Sequence, residues 1–273
     1  MANARSGTAQ GSSKLRCYDE APAFLRQNPF IRKGYRAGYT PLECLRSVFE
    51  WNNETLNIWT HLSGILLFSA VLVHDVRHRL AAAGASPIDA TVVVAFTCIY
   101  ITTLSLSVLY HTFNCQSKQV YQKLLKYDLV GVAMSLWATV SSGVVMAFDE
   151  HPFSKFLYVA IEAVLLVGIL WKAGTEDTGI FCSLGAFGLL PTIHWLFLAP
   201  PYLTRVLPWL VLLFLSSGFS YLVLEGRCPE RLRPGYYDYV GSSHQIWHIL
   251  VVFITMLWHE TALVIINCKN GHC

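Results

Sequence analysis

His111, His244, His248 and Asp128 are the residues of this chain whose types and spacing fit them best for chemistry. His244 and His248 stand four apart. On a helix that spacing turns about 40° and rises about 6 Å, so both rings project from one face. It is the spacing by which a helix offers two imidazoles to one metal ion. His111 completes a set of three. Three protein ligands leave the open position of a catalytic zinc site, whereas four make a closed structural one. Asp128 would either close such a site or serve a water held there, which zinc brings to a pKa of about 7. Ser107 lies one turn before His111 on the same face. It can hydrogen-bond that water or an oxyanion, or simply bond its own helix backbone. Asp128 and Ser107 are thus the candidate catalytic residues, and His111, His244 and His248 the candidate metal ligands. Glu54, Asn57 and His61 share another face, at i, i+3 and i+7. They read as support for the ligands or as packing, with His61 a less favoured fourth ligand.

These residues are remote in sequence, so the fold must bring them together. The chain has 273 residues, 54% hydrophobic and only 14% charged, against about 25% charged in soluble domains. Its charges cluster between long apolar runs, the pattern of a polytopic helical membrane protein. Seven stretches reach the roughly 20 apolar residues that a spanning helix needs. They are Asn57–Val76, Thr91–Phe113, Asp128–Phe148, Phe153–Trp171, Ile180–Pro200, Arg205–Leu224 and His244–Ile266. The expected fold is all-α, a seven-transmembrane helix bundle. Pro191 and Pro208 fall inside spans, where neighbouring helices can satisfy the freed carbonyls.

Orientation follows from the basic residues. With the N-terminus in the cytosol, only Arg77, Arg79, Lys155, Arg205 and Lys269 of the 20 Lys and Arg face outward. The positive-inside rule therefore predicts a cytosolic N-terminus and a luminal or extracellular C-terminus. This is opposite to a G-protein-coupled receptor. Span two then descends to His111, while spans three and seven leave the cytosol at Asp128 and at His244 and His248. All four side chains reach one depth, beside the inner leaflet. Asn53-Glu54-Thr55 has the form of a glycosylation acceptor but on this topology stays unmodified.

Three regions result: a cytosolic segment 1–50, a membrane domain 51–267 and an outer tail 268–273. The polar start, Met1–Leu15, has no apolar core of a signal peptide. Arg36–Pro41 reads as a turn. Leu42–Trp51 reads as an interfacial helix with Leu42, Leu45, Val48 and Phe49 on its apolar side. Arg32, Lys33 and Arg36 read as a basic cluster for a lipid headgroup or a cytosolic partner. Of eight cysteines, Cys17, Cys44, Cys115 and Cys228 fall in cytosolic segments, where thiols stay reduced. Cys268 and Cys273 lie at the other end, where pairing in an oxidising lumen is open to them. A net charge of +3, with no glycine-rich phosphate loop, argues against nucleic acid as a partner.

The chain resembles the progestin and adipoQ receptor family over about residues 18–266. The stretches that carry this are Asn28-Pro29-Phe30-Ile31 to Gly34-Tyr35-Arg36, Asn53 through His61, and Ser107-x3-His111-Thr112. Tyr127-Asp128-x2-Gly131, Pro191-Thr192-x-His194, Pro229-Glu230-Arg231 and Ser243 through His248 continue it. The Ser-x3-His, Asp and His-x3-His pattern is also similar to membrane hydrolases that include alkaline ceramidases. The resemblance implies zinc held by His111, His244 and His248, with Asp128 beside it. It implies a receptor-like role, or, in the branch that Gly241–Leu250 suggests, anchoring of a cytosolic Raf-type kinase at Golgi membranes. The alternative it implies is a zinc-dependent amidase acting on ceramide or another sphingolipid. The loop Lys172–Gly179 departs from the family in being nearly free of basic residues. The brief tail after Cys268 leaves little surface for a protein hormone.

Overall fold

A computed structural model describes residues 14–172 and 179–273 of the chain. Residues 1–13 and 173–178, which hold most of the expected polar start and of the Lys172–Gly179 stretch, lie outside the described residues. The architecture is helical throughout. Among the described residues the only extended pairing is one bridge, Arg16 with Tyr35.

A short helix α1, Pro41–Ser47, precedes the bundle. Then come α2 (Thr55–Ala82), α3 (Pro87–Phe113), α4 (Lys118–Ala147) and α5 (Pro152–Lys172). The next apolar stretch is split into α6 (Gly179–Phe187) and α7 (Leu189–Leu198). Helices α8 (Leu203–Gly226) and α9 (Ser243–Lys269) complete the chain. Six of these are long and apolar enough to cross a bilayer, and the α6–α7 stretch supplies a shorter seventh apolar segment.

The departures from the sequence-based boundaries have physical causes. Helix α1 is shorter than the expected Leu42–Trp51. Thr40 and Glu43 cap its start reciprocally, the box arrangement that satisfies two orphan N–H groups. Beyond Ser47, Asn52 turns its amide onto the carbonyls of Ser47 and Glu50, both at 2.9 Å, and the helix ends. Leu42, Leu45 and Phe49 are exposed while Val48 is buried, leaving an outward apolar side that suits an interface. Helix α4 starts ten residues before Asp128, at a Ser117 cap. Asp128 therefore lies almost three turns in, not in the first turn. Proline 191 has no N–H for the Phe187 carbonyl four residues earlier, and the expected fifth span is interrupted there. That span ends at Leu198, before left-handed Ala199 and Pro200, because proline disfavours a helical residue ahead of it. Helix α2 runs past Val76 through a widened π stretch, Asp75–Arg79.

Helix α9 is the axis of the bundle and packs on α2, α3, α4 and α8. Its apolar middle joins Phe68, Phe96, Tyr100, Leu104 and Trp258 in the main core. The Trp258 indole N–H donates to Ser142 Oγ at 2.9 Å. Helix α5 is the least buried of the six long spans. At the end of α9 remote from His244, fully buried His259 Nε2 meets fully buried Asp75 at 2.6 Å. Arg79 donates to both Glu260 oxygens, at 2.9 and 2.5 Å. Cys268 and Cys273 are joined as a disulfide.

Gly64 of α2 is the closest approach in this frame. A Cβ there would sit 2.9 Å from Leu104 of α3 and 3.0 Å from Val252 of α9. Small residues allow such backbone approach between membrane helices. Gly64→Val is expected to destabilise by about 1–3 kcal/mol, the cost of overpacking. The matched change Gly168→Val, at a glycine with nothing within 4 Å, should leave stability unchanged. Thermal unfolding of the two detergent-solubilised variants, followed by loss of monodisperse protein, checks the contrast.

Candidate metal centre

His111 lies in the last turn of α3, and His244 and His248 in the first two turns of α9. Their donor nitrogens all fall within 4.8 Å of one another. Nε2 of His244 stands 3.5 Å from Nε2 of His111 and 3.2 Å from Nε2 of His248. Nitrogens bound tetrahedrally to one zinc ion at 2.0–2.1 Å would be about 3.3 Å apart. The spacing therefore fits a shared ion.

What lies behind the rings fits as well. His111 Nδ1 meets Glu54 Oε2 at 2.7 Å, and His248 Nδ1 donates to the Asn57 carbonyl at 3.1 Å. A proton committed at Nδ1 leaves the Nε2 lone pair facing inward, the usual orientation of a metal-binding histidine. Two such lone pairs turned towards each other repel unless a cation or a proton lies between them. The donor set, the spacing and the outer hydrogen bonds all suit zinc.

Glu54 is the hub of this outer layer. It accepts from Asn57 Nδ2 at 2.6 Å and from Asn114 Nδ2 at 3.0 Å as well as from His111. Burial acts to raise its pKa, but the contact with His111, the Arg36 charge and the Asn57 hydrogen bond outweigh it. Its carboxyl is held well below the usual carboxylate range. His61 lies face to face with His248, ring centroids 3.9 Å apart. It is not among the three residues whose donor atoms converge. Among the described residues its two nitrogens have no hydrogen-bond partner.

Asp128 also stands apart from the converging nitrogens. Ser107 is its polar neighbour, and His111 acts on it electrostatically. Both Asp128 and Ser107 line, with the three histidines, a cavity of about 1190 Å³. Beyond the histidines the walls are mostly apolar, among them Val132, Leu136, Leu213, Phe214 and Trp258. The structure thus gathers all five predicted site residues at one place, three with converging nitrogens and two beside them.

Arg36 has a role that its sequence position hides. It is 2% exposed, so it is no part of a headgroup-facing cluster, although Arg32 and Lys33 are exposed. Its guanidinium donates to the carbonyls of His111 at 2.5 Å and Thr112 at 3.2 Å. These are among the last carbonyls of α3, which no intrahelical N–H can reach. Arg36 thereby fixes the helix end that carries a ligand. A lone arginine in a basic run offers no signal for this. Asn114, one residue past the end of α3, carries no sequence signal either. The other histidines are elsewhere: His194 bonds Tyr158 at 3.0 Å, and His259 bonds Asp75.

The model of the haemolysin-III related family matches residues 49–259, a range that includes every residue of the site except Arg36. Human "progestin and adipoQ receptor family member 3" is 29% identical over 94% of this chain and 88% of its own length. The "heptahelical transmembrane protein 1" of Arabidopsis thaliana is 29% identical over 94% of this chain and 82% of its own. The "adiponectin receptor protein" of Drosophila melanogaster is 30% identical over 89% of this chain and 57% of its own. The chain is therefore a multi-pass membrane protein that belongs to the haemolysin-III related family, among the progestin and adipoQ receptor proteins.

Proposed function

We propose that this chain is a zinc-dependent lipid amidase whose site opens into a membrane-embedded chain-binding cavity. One observation carries the reading: three converging imidazoles sit on the wall of an apolar cavity of about 1190 Å³. That exceeds the roughly 300–1,000 Å³ of ordinary small-molecule pockets. A substrate with a polar amide head and long apolar chains, such as a ceramide, matches both parts. His111, His244 and His248 would hold the ion. Zinc, when bound, supplies Lewis-acid polarisation of a carbonyl and acidifies water. Asp128 is placed to accept a proton and return it to the leaving amine. Ser107 stands beside Asp128 and can donate its one hydroxyl proton to the substrate carbonyl. Glu54 and the Asn57 carbonyl keep two rings aimed at the ion. The apolar walls orient the chain and exclude bulk water.

A second reading is favoured by the names of the relatives and by the N-terminal segment. Residues 14–39 fold across the end of the bundle that carries the histidines. Gln27 bonds Tyr121, the Gly235 N–H donates to the Phe30 carbonyl at 2.9 Å, and the Arg32 N–H donates to Asp238 at 2.7 Å. This cap leaves Arg32 and Lys33 exposed. On this reading the chain is a receptor-like regulator, its zinc is structural, and the cap holds a Raf-type kinase at Golgi membranes. The sequence-based orientation puts the cap in the cytosol.

Metal analysis of purified protein is expected to find zinc in the wild type and its loss in His248→Ala. Glu54→Gln should weaken zinc binding by about 10–100-fold, read by competition with a chelator. Asp128→Asn should keep its zinc while ceramide hydrolysis falls by about 10²–10⁴-fold. Zinc-loaded wild type that releases no fatty acid from any ceramide would end the amidase reading. If Asp128→Asn also retained kinase recruitment and Arg32→Ala/Lys33→Ala lost it, the regulator reading would stand in its place.

A further inference from the structure

Two thiols outside the metal centre lie side by side. Cys44 is on α1 and Cys115 just beyond the end of α3, with their Sγ atoms 3.5 Å apart. They are 0% and 1% exposed and cluster with Tyr39. Both carbonyls are hydrogen-bonded. The Cys115 carbonyl accepts from the Gly38 N–H at 2.7 Å. The Cys44 carbonyl accepts from Ser47 Oγ at 2.7 Å, and Ser47 Oγ in turn accepts from Arg36 at 2.7 Å. Among the described residues the pair belongs to no cluster of three metal-binding side chains.

We infer that Cys44 and Cys115 form a reversible, peroxide-driven disulfide that staples α1 to the ligand-bearing end of α3. A disulfide needs its sulfurs about 2.05 Å apart, so the two must approach by about 1.5 Å. Helix α1 is a single short surface element and can supply that movement. The amino-acid pattern puts this end of the bundle in the cytosol, where disulfides are mostly transient and redox-sensing.

The two thiols are unequal. The hydrogen bond with Cys115 and the Arg36 charge hold the Cys44 thiol below its ordinary pKa despite burial. The same hydrogen bond and burial push Cys115 up. Cys44 is therefore the attacking thiolate and Cys115 the resolving thiol, since the thiolate is the nucleophile. The Cys44 thiolate attacks one oxygen of hydrogen peroxide, and the O–O bond breaks. Hydroxide leaves and takes up a proton as water, and Cys44 becomes a sulfenic acid. The Cys115 sulfur then attacks the Cys44 sulfur. The S–O bond breaks, and the hydroxyl leaves with the Cys115 proton as a second water. Two thiols lose two electrons and two protons, and one peroxide becomes two waters.

The bond would link residues 71 apart in sequence, with Cys115 one helical turn beyond His111. It does not depend on zinc or on any lipid substrate. The experiment uses full-length wild-type protein, reduced, placed in phosphatidylcholine nanodiscs and titrated with hydrogen peroxide. Samples are blocked with N-ethylmaleimide, digested without reductant and mapped by mass spectrometry. The expected result is a Cys44–Cys115 cross-linked peptide that grows with peroxide and disappears with dithiothreitol. A Cys115→Ala variant should instead accumulate a Cys44 sulfenic acid that dimedone labels. Exposed Cys17 and Cys228 serve as internal controls. Full oxidation of those two, with Cys44 and Cys115 both recovered as free thiols after unfolding, overturns the proposal. That result needs only the wild-type protein, so it stands even if the variant fails to fold.

Discussion

Hydrocarbon has no hydrogen bonds to give, so each polar group carried into the membrane must bring its partner with it. That constraint organises this molecule more than any single apolar contact. It explains why charged and polar side chains form two compact networks at opposite ends of one helix pair. At one end Glu54, Asn57 and His61 of the α2 entry face His111, His244 and His248. At the other, Asp75 and Arg79 of α2 face His259 and Glu260 of α9. Between them the pair is apolar and closely packed, with Gly64 against Val252. Helices α2 and α9 are thus clasped at both ends by polar contacts and held in register. His244 and His248, on the first turns of α9, sit on the best-anchored element of the bundle.

Anchoring matters because a metal centre tolerates little displacement. His111 comes from a different helix, and its position depends on how α3 ends. A helix terminus leaves four carbonyls without intrahelical partners. In a loop these would turn to water. Here Arg36 takes two of them and Glu54 takes the imidazole N–H. Arg36 and Glu54 therefore hold the main chain and the ring of one residue from two sides. A positive charge and a negative charge buried near each other also limit the cost that either would carry alone.

Much of this was legible in the sequence. Long apolar runs and clustered charges marked a helical membrane bundle, because a spanning helix has a required length. His-x3-His was legible because four residues nearly complete one turn. The alternation of spans was enough to expect His111, Asp128, His244 and His248 at one depth. The less legible features depend on contacts between remote segments. Helix α4 could be read only from Asp128, since the hydropathy window discounts Lys118, Lys123 and Lys126, yet a helix continues through charged residues once they leave the membrane. The extension of α2 through Asp75–Arg79 required knowledge of His259 and Glu260 on α9. Arg36 looked like one of three basic surface residues, and only the fold shows that it is buried against the end of α3.

If the three histidines share an ion, the neighbours that stay back decide whether its site is open or closed. Two further candidates for a fourth ligand are within the same pocket lining, His61 and Asp128. His61 is committed to a stacked arrangement on His248, which packs the ring without adding a donor to the convergent set. Asp128 is on a different helix, beside Ser107, and faces the same cavity. Had either joined the three nitrogens, the set would be saturated and the cavity beyond would have no chemical relation to it. With both held back, three imidazoles face a large apolar space with an acid and a hydroxyl at its rim. A centre needed only to brace helices gains nothing from that arrangement, because a fourth protein ligand would brace them better. The residues that stay out are therefore the strongest physical argument that the space next to the histidines is meant for something that comes and goes.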